Sequence, residues 1–193
     1  MNDFRELPVK SNPIGLRNNN PLNIRASKDK WQGMSGVYEG KTGKFVIFTS
    51  VEYGLRAWLK IYYTYVVKHK ANTLAKFILR YAPPEDANNT EAYINFVSKE
   101  TGISRDQLLT GKAEEVIKIM KHMIKVEIGD SYSSLITDEH IKKAFSMLNY
   151  SLDGFFIGFS QLLNGNRPST SGTFKAILVV FGLGWLLFFK EKY

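Results

Sequence analysis

Apolar residues recur at three- and four-residue intervals along most of positions 1–148, and that spacing predicts helices. Leu55, Trp58, Leu59 and Tyr62 fall on one face of a segment running from Val51 to about Lys68. Asn72 reads as the N-cap of a further helix that stops by Pro83 and Pro84, because proline lacks the amide a helix needs. Asn89 or Thr90 opens another, running through Glu100, and Thr101 with Gly102 closes it. A short helical turn is expected around Ser104 to Leu108, a longer helix from Lys112 to Ile128, and one more from Thr137 to Leu148. KFVIFT, Lys44 to Thr49, is the clearest strand-like run. The expected fold class is mainly α, an α+β body with a small β element near residues 36–49.

The pattern changes toward the C-terminus. Ala176 to Phe189 reads AILVVFGLGWLLFF without a charge, between Lys175 and the run Lys190, Glu191, Lys192. As a helix this stretch covers about 21 Å, short of the roughly 30 Å hydrocarbon core of a bilayer. Extension back to Ser171 supplies the missing length if Lys175 snorkels to the headgroups. Trp185, Phe188 and Phe189 suit a membrane interface. NGNRPSTSGT, Asn164 to Thr173, has the composition of a linker. The expected organisation is therefore a soluble domain over 1–148, an amphipathic segment and linker over 149–173, and a transmembrane anchor over 174–190. A buried core helix is the competing reading of the last segment. The opening MNDFRELPVK is charged and does not read as a secretory signal.

Composition narrows the chemistry. The 193 residues include no cysteine, which excludes disulfide scaffolds, thiolate metal sites and cysteine nucleophiles. His69, His122 and His140 are far apart and show no metal-ligand spacing, so neither a metal nor a cofactor is expected. The net charge of +8 favours an anionic partner. The lysines are scattered and no nucleic-acid motif or Gly-rich phosphate loop is present, so nucleic acid is not an expected partner.

One acid stands out. In the helix from Lys112 the apolar stripe runs Val116, Met120, Ile124, and its next position is Glu127. Burial there disfavours the ionised carboxyl, and the negative end of the helix dipole opposes it too. A carboxyl kept protonated near neutral pH is what general acid catalysis on a glycosidic oxygen requires. An exposed glutamate on a frayed last turn is the bland alternative. Glu52, Glu85, Asp86, Glu114 and Glu115 are explained by helix starts or solvated loops, and Glu39, in a Gly-rich stretch, is the second choice for chemistry.

The residues GLRNNNPLNIR (15–25), WQG (31–33), FVIFTSVEYGLRAW and YAPPEDANNTEAYINFV resemble phage-encoded lysozyme-like proteins. These are related in pattern to the virion-borne lytic transglycosylase of enveloped double-stranded RNA phages. The likeness spans roughly residues 14–145. A second likeness, to flagellar-type glucosaminidases, rests on the Asn-Asn stretch, the Trp-x-Gly and the following strand. The resemblance implies that Glu127, in VEIGDSY, is the catalytic acid, with Gly129 and Tyr132 beside it. Val126 and Ile128 stand where the family's segment carries histidine and asparagine, and Tyr81 where tryptophan is frequent.

Sugar polymers present hydroxyls and N-acetyl amides, and asparagine answers both with one short side chain. Asn18, Asn19, Asn20 and Asn23 are accordingly expected to line a saccharide cleft or shape its loop, with Trp31, Tyr93 and Tyr132 also at the substrate. The expectation is a membrane-anchored peptidoglycan lytic transglycosylase of a phage virion. It would be seated in the virion's internal membrane or the host membrane, with peptidoglycan, lipid and other virion proteins as partners. The rival expectation is a non-catalytic structural or wall-binding virion membrane protein of the same fold.

Overall fold

A computed structural model describes residues 3–6, 12–86 and 88–148. The expected linker and anchor, 149–173 and 174–190, lie outside the described residues. Among the described residues no helix is long and apolar enough to cross a membrane.

Seven α-helices and one hairpin build the described part. Helix α1 (Ile14–Arg17) is a single turn. Strands β1 (Met34–Gly40) and β2 (Gly43–Phe48) pair antiparallel, with Val37 opposite Val46 and an irregularity between Met34 and Gly36. Then come α2 (Val51–Tyr63), α3 (Leu74–Tyr81), α4 (Thr90–Thr101), α5 (Ala113–Ile128), α6 (Asp130–Ser133) and α7 (Asp138–Ser146). The mainly helical α+β class expected from periodicity is the class observed.

Local chemistry explains most boundaries. Thr73 caps α3 by accepting from the Lys76 amide at 3.3 Å, one residue later than Asn72. Asn89 caps α4, and Gly102 ends it in the left-handed conformation at φ 72°. Thr137 and His140 form a reciprocal capping box at the start of α7. Helix α2 hands over at Thr64 to a wider π-type turn, Thr64–Lys68, so the helical run expected from Val51 to Lys68 is observed with its last part more loosely wound. Residues 104–108 are not helical. Leu108 instead forms an isolated bridge to Thr73, and the Leu109 amide donates to the Asn72 carbonyl, so pairing with the start of α3 displaces a local helical turn.

The core centres on α2. Trp58 and Tyr62 stack at 5.5 Å between ring centres, and Phe77 of α3 meets both edge-on. Full burial of such rings is worth about 2–3 kcal/mol each. Helix α7 packs on α2, while α4 packs on both α3 and α5. The stripe expected on α5 is observed, with Val116, Met120 and Ile124 fully buried. The short helix α1 leans on α5 through Gly15, where a Cβ would lie 2.7 Å from Ile128 Cγ2 and 2.9 Å from Asn23 Oδ1. Only a glycine admits that approach, and it brings the asparagine loop to the end of α5.

Candidate functional site

Glu127 occupies the last turn of α5, one residue before its end. As a residue it is half-buried, while protein packs closely around the carboxyl. Both oxygens have partners. Asn23 Nδ2 donates to Oε2 at 2.9 Å and also to the Glu127 carbonyl at 3.2 Å. The Tyr93 hydroxyl donates to Oε1 at 3.0 Å. Burial raises the carboxyl above its ordinary value of 4.5, while the two hydrogen bonds and the nearby Arg25 guanidinium pull it down. Desolvation is the largest of these influences, so the net shift is upward.

The surrounding tyrosines feel the same charge. Burial raises Tyr93 and Tyr81, and the Glu127 carboxylate raises both further. Tyr81, on the last turn of α3, donates its hydroxyl to the Leu22 carbonyl. It thereby ties α3 to the asparagine loop. Four parts of the chain thus converge on one carboxyl: residues 22–25, the end of α3, the start of α4 and the end of α5.

The asparagines divide sharply. Asn19 and Asn20 are fully buried. Asn20 Nδ2 donates to the carbonyls of Ile24 and Val46 at 2.9 Å each, and its Oδ1 accepts from the Ile24 amide. Asn19 Nδ2 donates to Asp3 and to the Phe48 carbonyl, and its Oδ1 accepts from the Phe4 amide. Asn18 is 5 % exposed, and its carbonyl accepts from the Phe48 amide. A glycan has no access to Asn19 or Asn20, and almost none to Asn18. Of the two expected roles, burial removes the lining of a cleft and leaves the fixing of the loop: the three splice the N-terminal loop to β2. Asn23 alone of the four turns its amide to Glu127, from a left-handed backbone at φ 49°.

The remaining expected residues lie in different settings. Tyr93 is 7 % exposed, so it holds the acid and offers almost no ring face for stacking. Trp31 is half-buried against the core, and its indole nitrogen is buried without a partner. Tyr132 sits half-buried on α6, beyond the end of α5. Glu39 is an exposed hairpin residue paired with Lys44, which accounts for it.

Two residues that sequence reasoning passed over stand at this site. Arg25 lies two positions beyond Asn23 in an extended segment bridged to Phe45, with buried Ile24 between them. Arg25 reaches the site through its charge, which acts on the Glu127 carboxyl. Asp86, in the 3₁₀ turn Pro84–Asp86 between α3 and α4, pairs with the Arg25 Nε at 3.3 Å. The second arginine of GLRNNNPLNIR carried that signal, but its partner is 61 positions away in sequence.

A small α+β domain, with a half-buried acid at a helix end held by an amide and a phenol, is the class these features define. No family model matches the chain. It belongs to the family of Protein P5 of Pseudoalteromonas phage PM2: the two are 40% identical over 134 residues, covering 68% of this chain and 79% of that protein.

Proposed function

We propose that the chain is a glycan-cleaving enzyme acting on peptidoglycan, with Glu127 as the proton donor. The observation that carries this reading is a carboxyl raised by burial on a residue that keeps partial exposure, with Asn23 and Tyr93 fixing both of its oxygens. Protonated Glu127 gives its proton to the oxygen between two sugars as the C1–O bond breaks. The resulting carboxylate then takes the proton of the substrate's own C6 hydroxyl as that oxygen bonds to C1, closing an anhydro ring. One acid that gives and regains a proton suffices, whereas ordinary hydrolysis uses two carboxylates flanking the bond. The partners of Glu127 are an amide and a phenol, which favours the one-carboxylate route. A phenol can donate to the carboxylate or accept from the acid, so Tyr93 serves both states.

The proposal extends to residues 174–190 as a membrane tether, on the strength of the uncharged, apolar run from Ala176 to Phe189 within them. The basic net charge of +8 matches an anionic wall polymer. A second reading, a wall-binding protein without turnover, draws on Val126 and Ile128, which bring no polar group to the acid.

Incubation of the detergent-solubilised full chain with purified murein tests both. Anhydro-ended fragments released by the wild type and not by Glu127→Gln support the transglycosylase. Reducing-ended fragments would replace it with a hydrolase. Binding without release would leave the second reading.

A further inference from the structure

The Arg25 guanidinium is built into place rather than left free. Its NH1 donates to the Thr42 carbonyl at 3.1 Å, its plane lies over the Phe45 ring at 5.6 Å, and its Nε meets Asp86 at 3.3 Å. A Cβ on Gly43 would fall 2.3 Å from NH1, so the hairpin carries a glycine where the guanidinium passes. Arg25 and Asp86 are nevertheless 44% and 40% exposed. The fixed arginine therefore presents charge to solvent near Glu127, close enough to act on that carboxyl electrostatically.

The Asp86 contact is a single-point, exposed ion pair, a kind worth at most about 1 kcal/mol. Such a partner is readily exchanged for another carboxylate, whereas the carbonyl and ring contacts hold the arginine in position meanwhile. Arginine's planar fork suits bidentate capture of a carboxylate. Resting on the glycan-cleaving function proposed above, we infer that Arg25 is a specificity-determining residue that captures a carboxylate of the murein strand next to the bond cleaved, with Asp86 occupying that place when the site is empty.

The test uses the full chain in detergent carrying Glu127→Gln, and fluorescence anisotropy with three labelled probes. These are murein glycan fragments with free stem-peptide carboxylates, the same fragments with those carboxylates amidated, and peptide-stripped fragments bearing only lactyl carboxylates. The free-carboxylate fragments should bind about tenfold tighter than the amidated ones, the scale of one charge-assisted contact. Adding Arg25→Gln should bring that ratio close to one, and Arg25→Lys should keep part of it. Adding Asp86→Asn should tighten the free-carboxylate fragments alone. Peptide-stripped fragments that bind like the free-carboxylate set identify the lactyl group as the source; weak binding identifies the stem peptide. Equal binding of free and amidated fragments, a preference that survives Arg25→Gln, or no binding at all overturns the inference. Wild-type release of fragments from murein and from amidated murein separates the two claims. Equal release from both keeps the enzyme and removes the role of Arg25, while a binding preference without release removes the enzyme and keeps the role.

Discussion

Asn20 and Asn23 are three positions apart in one loop and have opposite fates. Asn20 is sealed from solvent and spends its amide on the backbone at Ile24 and Val46. Asn23 directs its amide to a carboxyl 104 positions away. The same side chain is mortar in one place and a site group in the other. Buried amides must be satisfied, and the nearest unpaired backbone groups satisfy them. The residue that meets a distant acid is decided by which side chain faces the gap.

The largest expected effect lies on the Glu127 side of this comparison. Glu127→Gln keeps the shape and removes the proton, so murein cleavage should fall at least about 100-fold, the scale of general acid catalysis. Unchanged release would break the comparison outright. On the buried side, Asn20→Ala strands the Ile24 amide and the Val46 carbonyl, leaves the Ile24 carbonyl only its bond from the Val46 amide, and should cost about 3 kcal/mol in denaturant unfolding. A loss near that of an ordinary surface change would mean the loop does not depend on its buried amides.

Gly54 sharpens the same point from the other wall. A Cβ there would lie 2.2 Å from the Asn19 carbonyl oxygen, so Gly54→Ala should cost about 2 kcal/mol in the same measurement. Tyr93→Phe tests the site rather than the loop. It removes a hydrogen bond that favours the ionised acid, so the alkaline limb of the pH–rate profile should move to higher pH. A shift to lower pH would contradict the assignment of that bond.

The smallest effect is a dependence of stability on pH. Because the folded carboxyl of Glu127 is raised above 4.5, the folded state holds a proton that the unfolded state has released. Its contribution should be fully present below 4.5 and decline as pH rises from there through the folded value. Glu127→Gln should flatten that part of the unfolding profile, and a slope unchanged by the substitution would deny the buried acid.

Much of this was legible in periodicity. The α5 stripe and the α4 cap depend on neighbours three or four residues apart, and each is observed with no more than a residue of shift. Failures came where a distant partner intervened. Residues 104–108 gave up a helical turn to pair with Thr73, and the amides of Asn19 and Asn20 went to β2 and the N-terminal turn.

By itself the sequence determined the longer helices, most of their stops, and the misfit of an acid on an apolar stripe, because these follow from backbone geometry and local capping. Tertiary structure alone decided that Asn23, Tyr93 and Arg25 surround that acid and that Asp86 answers Arg25. Those meetings depend on how α1, α3, α4 and α5 pack together, and no interval along the chain encodes the distance between side chains on separate elements.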